Sequence, residues 1–418
     1  MRILVYGLNY APELTGIGKY TGEMSAWLAS RGHDVRVVTA PPYYPAWRIR
    51  EDYRGTWYRK ERVPGQPVVF RTPLYVPERP TGIKRIVHLV SFMLGSLPVM
   101  LRHAFWQPHV VFTVEPTFFC APLTLFVGKS AGAACWLHVQ DFEVDAAFEL
   151  GLLPAQGPVH DAALRIEKFF TFAFDRVSGI SSRMVDRAQA KGISSNDVVL
   201  FPNWVDVDSI YPLDPAANRP NIIRRELASQ VPGIEDKIIL LYSGNMGAKQ
   251  GLELLAPLAE SFAADPRVHF LFCGDGAFRT RLEELVAHRP NVTLLPLQPL
   301  DRLNELLNSA DIHLLPQRAS AADLVMPSRL SAMLASGRPV IATADAGTQV
   351  AQVVEGRGLA VPAEDATALH AAVLDLADNE DLRTCLGRAA REYAVKHLGK
   401  QQVLEQFELD LKQLVQRG

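Results

Sequence analysis

Short runs of apolar residues alternate with amphipathic segments along most of the 418-residue chain. The first runs predict a strand at Arg2–Tyr6, a helix at Tyr20–Arg31 and a strand at Asp34–Thr39, which together begin a βαβ unit. A segment rich in proline and asparagine, Tyr211–Asn221, interrupts the alternation, which restarts with a strand at Ile238–Tyr242. The pattern therefore predicts an α/β protein with two successive doubly wound sheets and a cleft between them.

One predicted helix in the second half starts in a way that suits an anion. The stretch Pro327–Thr343 predicts a helix capped by Ser328, a tight turn at Gly337 and a buried strand. Unpaired N–H groups at the start of such a helix attract a phosphate, and Arg329 and Arg318 would add positive charge. The alternative is an ordinary αβ unit that carries surface arginines.

Two loops that follow predicted strands in the first half carry further candidates. Gly16 and Gly18 precede a helix, so the backbone there can approach a phosphate or a sugar closely. The three-glycine spacing of dinucleotide-binding folds is missing, which weakens the case for NAD. His138 and Asp141 stand where a parallel strand is predicted to end, and ligands collect at such ends in open α/β sheets. The alternative for His138 is a hydrogen-bonded core residue.

Composition excludes several classes of protein. Lys and Arg number 43 against 45 Asp and Glu, so the charge balance gives no support to bulk nucleic-acid binding. Four scattered cysteines without metal-ligand spacing indicate reduced thiols, and the first residues lack the features of a signal peptide. We therefore expect a cytoplasmic protein.

Two segments of the first half are unusually apolar or aromatic. Ile83–Leu101 is strongly apolar with the basic pair Lys84–Arg85 at its start, but His88 and Pro98 interrupt it, so a transmembrane helix is not expected. We interpret it either as a core helix or as a surface that rests on a membrane. The loop Ala40–Trp47 is rich in proline and aromatic residues, which either face a carbohydrate or cap the core.

Seven short runs, spread over both halves, match the pattern of one enzyme family. They are Gly16–Gly18, Arg31–Val35, Pro202–Asp206, Ser243–Glu253, Cys273–Gly276, Ala310–Pro316 and Gly337–Ala342. Through these runs the chain resembles glycosyltransferase family 4 over essentially its whole length. Within that family it is similar to transferases of exopolysaccharide assembly.

The resemblance implies a GT-B fold, in which two Rossmann-like doubly wound domains face a central cleft. Residues 1–205 would form the acceptor-binding domain, residues 206–395 the nucleotide-sugar-binding domain, and residues 396–418 a helix that returns to the first domain. The resemblance also implies transfer with retention of anomeric configuration, without a metal ion or another cofactor. The sequence agrees on the metal, because no Asp-x-Asp pair stands at the end of a predicted strand.

The chain departs from the family pattern at positions that usually hold the donor. An arginine and a lysine that bind the diphosphate in the family are replaced by Asn245 and Gln250, although Lys249 is adjacent to the second position. Two glutamates of the family fall on Leu324 and Ala332. The contacts to the donor therefore have to differ from those of typical members.

Neighbouring side chains are the candidates to replace the missing groups. Asp323 and Ser331 stand beside the two glutamate positions, and a guanidinium such as that of Arg318 or Arg329 binds phosphate oxygens bidentately. The donor-binding candidates are Gly16, Gly18, Gly244, Asn245, Gly247, Lys249, Gln250, Asp275, Gly276, Arg318, Ser328, Arg329 and Ser331. The catalytic candidates are His138, Asp141 and Asp323.

The residues and the resemblance together predict a retaining glycosyltransferase. It would move a sugar from a GDP-fucose-like donor or a UDP-sugar to a lipid-linked saccharide at the inner membrane face, in exopolysaccharide or O-antigen assembly. One alternative is a non-catalytic GT-B partner protein that binds a nucleotide sugar or another transferase, which the missing glutamates favour. A nucleotide-sugar epimerase on the same architecture is disfavoured, because it has no use for the apolar segment Ile83–Leu101.

Overall fold

The structure is a computed structural model, and it describes residues 1–13, 16–55, 57–78, 82–115, 118–141, 157–213, 221–247, 250–318 and 327–417. Within these ranges the chain forms two compact units. Unit 1 comprises Met1–Pro202 together with Val403–Gly418, and unit 2 comprises Asn203–Gln402.

Unit 1 is built on one mainly parallel sheet. Its strands are β1 (Arg2–Tyr6), β2 (Asp34–Thr39), β3 (Arg59–Glu61), β4 (Val68–Arg71), β5 (Val110–Glu115), β6 (Ala134–Val139), β7 (Arg176–Gly179) and β8 (Val198–Leu200). They lie in the order β3-β4-β2-β1-β5-β6-β7-β8, and only β3 runs antiparallel to its neighbour among these strands. The central strands β1 and β5 are buried almost throughout, which explains why their sequences are mainly apolar, with Thr113 and Glu115 of β5 as buried polar exceptions.

Helices connect the strands of unit 1 and supply its remaining core. They are α1 (Gly16–Ser30), α2 (Gly82–Ala104), α3 (Ala121–Ala131), α4 (Pro158–Thr171) and α5 (Ser182–Ala190). The side of α2 that includes Leu89, Phe92 and Met100 is buried in the same hydrophobic cluster as Leu4 and Tyr6 of β1. Helix α2 is therefore part of the core along one side.

Unit 2 repeats the βα alternation with a fully parallel sheet. Its strands are β9 (Ile238–Asn245), β10 (Val268–Asp275), β11 (Val292–Leu295), β12 (Ile312–Leu315), β13 (Val340–Thr343) and β14 (Gly358–Val361), in the order β11-β10-β9-β12-β13-β14. Its helices are α6 (Ile222–Ala228), α7 (Leu255–Ser261), α8 (Arg279–Val286), α9 (Leu303–Asn308), α10 (Ser328–Ala335), α11 (Gln349–Val354), α12 (Ala366–Asp378) and α13 (Glu380–Tyr393). The prediction of two doubly wound α/β sheets is confirmed.

Two local predictions differ from the structure at helix starts. Helix α1 begins at Gly16, which has a φ of 57°, so both glycines of the loop belong to the helix rather than preceding it. The prediction that Ser328 caps α10 is wrong: Pro327 occupies the cap position, Ser328 is the first helical residue, and no side chain caps the helix. Proline in an extended conformation starts this helix without a polar side chain, so its first N–H groups receive no side-chain cap.

The last helix, α14 (Lys400–Arg417), contributes its residues from Val403 onward to unit 1. The Phe407 ring stacks on Phe201 with a centroid distance of 4.2 Å and meets Phe112 and Trp136 edge-on at 5.2 Å. These rings extend the core of unit 1 across the C-terminal helix.

Buried Glu408 on α14 is the centre of an ion-pair network. Its carboxylate accepts hydrogen bonds of 3.2 Å from Arg31 Nε and from His33 Nε2, and it also pairs with Lys412. Burial raises the pKa of Glu408, but donation from Lys412, His33 and Arg31 outweighs it and lowers this pKa from 4.5 to about 2. The network ties α14 to the turn that precedes β2.

We expect Glu408→Gln to lower the free energy of unfolding by about 2 kcal/mol at pH 7, because it leaves buried donors without their charged acceptor. A carboxyl whose pKa is lower in the folded chain stabilises the fold above pH 4.5 and loses that effect as the pH falls toward 2. Urea unfolding of the wild type and the variant from pH 7 down to pH 3 should therefore show that the difference between their free energies of unfolding becomes smaller as the pH falls. Glu405→Gln, at an exposed position on the same helix, is the control; an equal loss there would contradict the assignment.

Candidate functional site

The carboxyl ends of β9 and β10 come unusually close together in unit 2. Gly244 is paired with Gly274, and Asn245 with Asp275, in parallel register. A Cβ added to Gly274 would overlap the Gly244 carbonyl oxygen, and one added to Gly276 would stand 2.6 Å from the Met246 carbonyl oxygen. Only glycine allows this approach, so the glycines build a narrow backbone surface at this edge of the sheet.

Arg329, in the first turn of α10, extends its guanidinium to the same edge. Its Nη1 donates a 2.8 Å hydrogen bond to the Tyr242 hydroxyl, which donates a 2.6 Å bond to the Asn245 carbonyl oxygen. The same Nη1 lies 3.3 Å from the point where a Cβ of Gly244 would stand, so the guanidinium covers the Gly244 backbone. Within the described part of the chain, no carboxylate lies within 4 Å of Arg329. The site thus holds a positioned cation with unused hydrogen-bond capacity.

Arg318 follows β12 and carries a second cation on the same unit. Its Nη2 lies 2.7 Å from Glu253 Oε1, and both side chains are a little under half exposed. The buried Nε of Arg318 has no hydrogen-bond partner among the residues that the structure describes. Arg318 is therefore paired with Glu253 through Nη2, whereas its buried Nε is left without a partner among the described residues.

The remaining donor candidates of unit 2 divide into three groups. Asn245 and Asp275 are exposed at the strand ends, and Gln250 Oε1 comes within 2.9 Å of the Cβ position of Gly247. Ser328 is exposed at the start of α10, whereas Ser331 is buried with 4% of its surface exposed. Lys249, Asp323 and Leu324 lie outside the described residues.

Analysis of the sequence alone missed Arg279 and Tyr242, which hold this edge together. The Arg279 guanidinium donates to the carbonyl oxygens of Gly274 and Leu295, the second at 3.0 Å, and so fixes the exit of β10. Burial raises the pKa of Tyr242, while Arg329 lowers it, so its hydroxyl remains protonated near neutral pH. A tyrosine inside an otherwise aliphatic strand is the signal from which Tyr242 could have been found.

In unit 1 Gly18 of α1 lies against a buried carboxylate, that of Glu13. A Cβ on Gly18 would stand 2.7 Å from Glu13 Cβ, so glycine is needed for the helix to approach this residue. Glu13 Oε1 accepts bonds from the backbone N–H groups of Tyr43 (3.1 Å) and Tyr44 (3.0 Å), and Oε2 accepts one of 3.0 Å from Asn9. Burial raises the pKa of Glu13. Glu13 therefore anchors the aromatic loop to α1, a role that the sequence did not reveal.

That anchored loop forms one wall of a cavity of about 230 Å³, which is called the acceptor cavity after the role that we propose for it. Tyr43, Tyr44 and Trp47 line it, with Arg85 and His88 from α2 and with Asn9, Gly16 and Gly18. His88 Nδ1 donates to the Tyr75 carbonyl oxygen at 2.6 Å, which leaves Nε2 as an acceptor without a partner among the described residues. The cavity thus joins aromatic faces to a cation and a buried acceptor.

His138 lies in the core of unit 1, which favours the alternative of a hydrogen-bonded core residue over its interpretation as a catalytic residue. Its ring packs against Phe112 at 5.7 Å and Phe201 at 4.9 Å, and its Nδ1 lies 2.9 Å from Ser178 Oγ. Burial lowers the pKa of His138 to about 3, so the imidazole stays neutral and cannot act as an acid near pH 7. Asp141 follows Gln140 beyond β6 and ends the described stretch.

A metal site would need a cluster of acidic, histidine or cysteine side chains. Among the residues that the structure describes, no group of three or more such side chains is placed to hold an ion. The four cysteines are separate thiols, of which only Cys385 is exposed.

Two successive α/β units on mainly parallel sheets are the architecture of GT-B glycosyltransferases. Solved structures of this class match the chain over nearly its whole length. Sucrose-phosphate synthase from Thermosynechococcus elongatus has a TM-score of 0.72 at 20% identity, with full coverage of both chains. HepE from Anabaena, in complex with UDP, has a TM-score of 0.70 at 14% identity and covers 99% of this chain and 100% of its own. At these identities the likeness shows the fold alone.

The chain belongs to glycosyltransferase family 4 and is a glycosyltransferase. The model described as "Glycosyl transferase 4-like domain" matches residues 15–204, and "Glycosyl transferases group 1" matches residues 224–393. A putative colanic acid biosynthesis glycosyl transferase, WcaI of Escherichia coli (strain K12), is 41% identical over 99% of this chain and 100% of its own length. WbjE of Pseudomonas aeruginosa, a probable glycosyltransferase, is 24% identical over 65% of this chain and 66% of its own.

Proposed function

We propose that this glycosyltransferase moves a sugar, with retention of its configuration, from a nucleotide sugar held by unit 2 to a lipid-linked saccharide held by unit 1. The observation that carries the proposal is the Arg329 guanidinium, fixed over the Gly244 backbone at the start of α10. The relative from E. coli supports a place in exopolysaccharide assembly. The HepE complexes with UDP and UDP-glucose support a nucleotide-sugar donor, either GDP-fucose-like or a UDP-sugar.

Sugar transfer from a nucleotide sugar requires positive charge near the departing diphosphate. As the bond between sugar and phosphate breaks, negative charge grows on the diphosphate and positive charge on the sugar. Arg329 binds the diphosphate together with the N–H groups of the first turn of α10, which no side chain caps. Arg318 adds a second guanidinium by exchanging Glu253 for phosphate oxygens. Asp323 remains the candidate for orienting the donor sugar, and Lys249 for a further phosphate contact.

The acceptor cavity supplies the groups that a phosphorylated saccharide needs. Sugar C–H faces pack on aromatic rings, and Trp47 stands edge-on to Tyr43 at 5.5 Å on the cavity wall. His88 Nε2 accepts a hydrogen bond from a sugar hydroxyl, and the Arg85 guanidinium forms an ion pair with the phosphate of a lipid carrier.

The composition and packing of helix α2 support the proposal that the reaction takes place at a membrane surface. It is 23 residues long and apolar enough to cross a bilayer by length and composition, but one side of it packs in the core of unit 1. Its other side exposes Leu94, Leu97 and Leu101, with the basic pair Lys84–Arg85 at its start. A helix with one buried side and one apolar exposed side lies in an interface rather than across it.

Loss of the Arg329 guanidinium should slow donor turnover. We expect Arg329→Ala to reduce kcat/KM for nucleoside diphosphate release by about 10- to 100-fold, because a charged hydrogen-bond partner of the diphosphate is lost. The assay uses purified protein, a panel of GDP- and UDP-sugars and a lipid extract as acceptor. Arg281→Ala, at an exposed ion pair of the same unit, is the control. Unchanged kinetics in Arg329→Ala would contradict the proposed donor site, and no turnover by the wild type with any donor would contradict the proposed reaction.

Removal of the Trp47 ring should affect the acceptor alone. We expect Trp47→Ala to raise the acceptor KM by about tenfold, with acceptor-independent donor hydrolysis unchanged, because one stacking face is lost. Trp57→Ala is the matched control, since Trp57 is 77% exposed and does not line the cavity. An effect on donor hydrolysis of the same size would place Trp47 outside the acceptor site.

Polar substitution of the exposed side of α2 should weaken membrane attachment. Leu94→Ser/Leu97→Ser removes two exposed leucines, and we expect vesicle affinity to fall about tenfold or more in co-sedimentation. Leu297→Ser/Leu300→Ser removes two leucines of similar or greater exposure from unit 2 and serves as the control. Equal losses in both variants would argue against α2 as the attachment surface.

A further inference from the structure

A second cavity, of about 270 Å³, lies at the C-terminal end of α2 and is called here the basic cavity. It shares no lining residue with the acceptor cavity. Three of its lining side chains are cations that come from three different elements: Arg36 from β2, Lys60 from β3 and Arg102 from α2. The sheet edge and the helix end therefore bring together charges that are far apart in sequence.

The three cations of this cavity form no ion pair with a described carboxylate, and Asp34 offsets the charge of Arg36 only from a distance. Within the described part of the chain, no carboxylate lies within 4 Å of Arg36, Lys60 or Arg102. Burial lowers the pKa of Arg36; Asp34 on the same strand raises it, and Arg102 and Arg62 lower it further. Like charges that lie close together at a partly desolvated site repel one another unless an anion binds between them.

Aromatic rings hold two of these cations in place. The Arg36 guanidinium carbon lies 4.1 Å from the centre of the Trp106 ring, and Lys60 Nζ lies 5.6 Å from the centre of the Phe70 ring. Cation–π contacts of this kind orient a charge without neutralising it. The cations are therefore positioned in advance, which lowers the entropic cost of binding a ligand.

His103 gives an independent indication of a ligand. Its ring is 1% exposed and packs edge-on against Phe70 at 4.7 Å and Trp106 at 5.9 Å. Its Nδ1 donates to the Val99 carbonyl oxygen at 2.7 Å, and its Nε2 has no partner among the described residues. Burial, then Arg36, Arg102 and Lys60, lower the pKa of His103 to about 4, so the ring is neutral and Nε2 is an acceptor. A ligand with anionic oxygens and a hydroxyl group would satisfy both the cations and this nitrogen.

We propose that the basic cavity binds the phosphate headgroup of an anionic membrane lipid. The commitment to a lipid rests on the proposed function, because α2 carries the exposed apolar side that would face the membrane. Leu101 on that side immediately precedes Arg102, and Phe105, which lines the cavity, is 90% exposed. The headgroup site therefore continues an apolar surface on the same helix, with phosphate at the cations and acyl chains along the leucines.

A paired charge deletion tests the site in the full-length protein. Lys60→Gln/Arg102→Gln removes two exposed cations of the basic cavity and leaves Arg36 in place. Lys129→Gln/Arg165→Gln removes the same charge from exposed positions of unit 1 that do not line the cavity. Co-sedimentation uses vesicles of phosphatidylcholine alone and of phosphatidylcholine with phosphatidylglycerol. We expect the affinity for the anionic vesicles to fall about tenfold or more in the first variant and less than threefold in the second.

Inorganic phosphate separates a lipid site from a site for a soluble ion. The imidazole carbon signal of His103, assigned by its loss in His103→Gln, is titrated with and without phosphate. Absence of a response to phosphate, together with the selective vesicle defect, supports the lipid headgroup. The lipid proposal would be overturned in favour of a soluble anion by two results together. These are a rise in the pKa of His103 when phosphate is added, and no selective loss of affinity for anionic vesicles in Lys60→Gln/Arg102→Gln.

The remaining outcomes also decide. Equal losses of affinity for anionic vesicles in the two charge variants would indicate general electrostatic attraction and would overturn the proposal of a headgroup site. Loss of all vesicle binding in Leu94→Ser/Leu97→Ser, with no effect of Lys60→Gln/Arg102→Gln, would keep the membrane proposal and overturn the headgroup site. The cations would then serve only to neutralise the last carbonyl groups of α2. Nucleoside diphosphate release with the lipid-extract acceptor and without vesicles reports separately on glycosyl transfer, so failure of that reaction is distinguishable from failure of the headgroup site.

Discussion

The contact between the backbones of Gly244 and Gly274 is the constraint on which the proposed donor site of unit 2 depends. At these strand ends the Gly274 carbonyl oxygen accepts a hydrogen bond from Arg279, and the Asn245 carbonyl oxygen accepts one from the Tyr242 hydroxyl. That hydroxyl in turn positions Arg329. Arg329 is thus held by a hydroxyl group that is itself fixed to the backbone, and preorganised charge is what the proposed departure of a diphosphate requires.

The same constraint explains how this chain can lack the family's usual diphosphate residues. Asn245 and Gln250 stand where an arginine and a lysine are typical, and in the proposed site Arg329 of α10 supplies the positive charge instead. Arg329 has no carboxylate within 4 Å in the described ranges, whereas Arg318 is paired with Glu253. The two guanidiniums are therefore not equivalent: Arg318 has to exchange a partner before it binds an anion, and Arg329 does not.

The sequence predicted the alternation of strands and helices well because buried parallel strands are continuous apolar runs, and the bounds of β1 and β2 follow directly from them. It predicted Arg329 at the candidate site because a helix start is a local signal. It did not reveal Glu13, whose partners Tyr43 and Tyr44 are distant in sequence, and it left the role of His138 open. Whether a polar residue at a strand end faces a ligand or the core depends on tertiary packing, here on Phe112 and Phe201.

Helix α2 connects the two cavities of unit 1. His88 near its start lines the acceptor cavity, and His103 at its end lines the basic cavity. At a rise of 1.5 Å per residue, these positions are about 22 Å apart along the axis. Because the intervening Phe92 and Met100 are buried in the core, the helix cannot slide against the sheet. A lipid phosphate bound at one end of a helix that lies in the interface would thus fix how far, along the membrane surface, the acceptor cavity stands from that lipid, and an acceptor on a lipid carrier would have to reach a site at that distance.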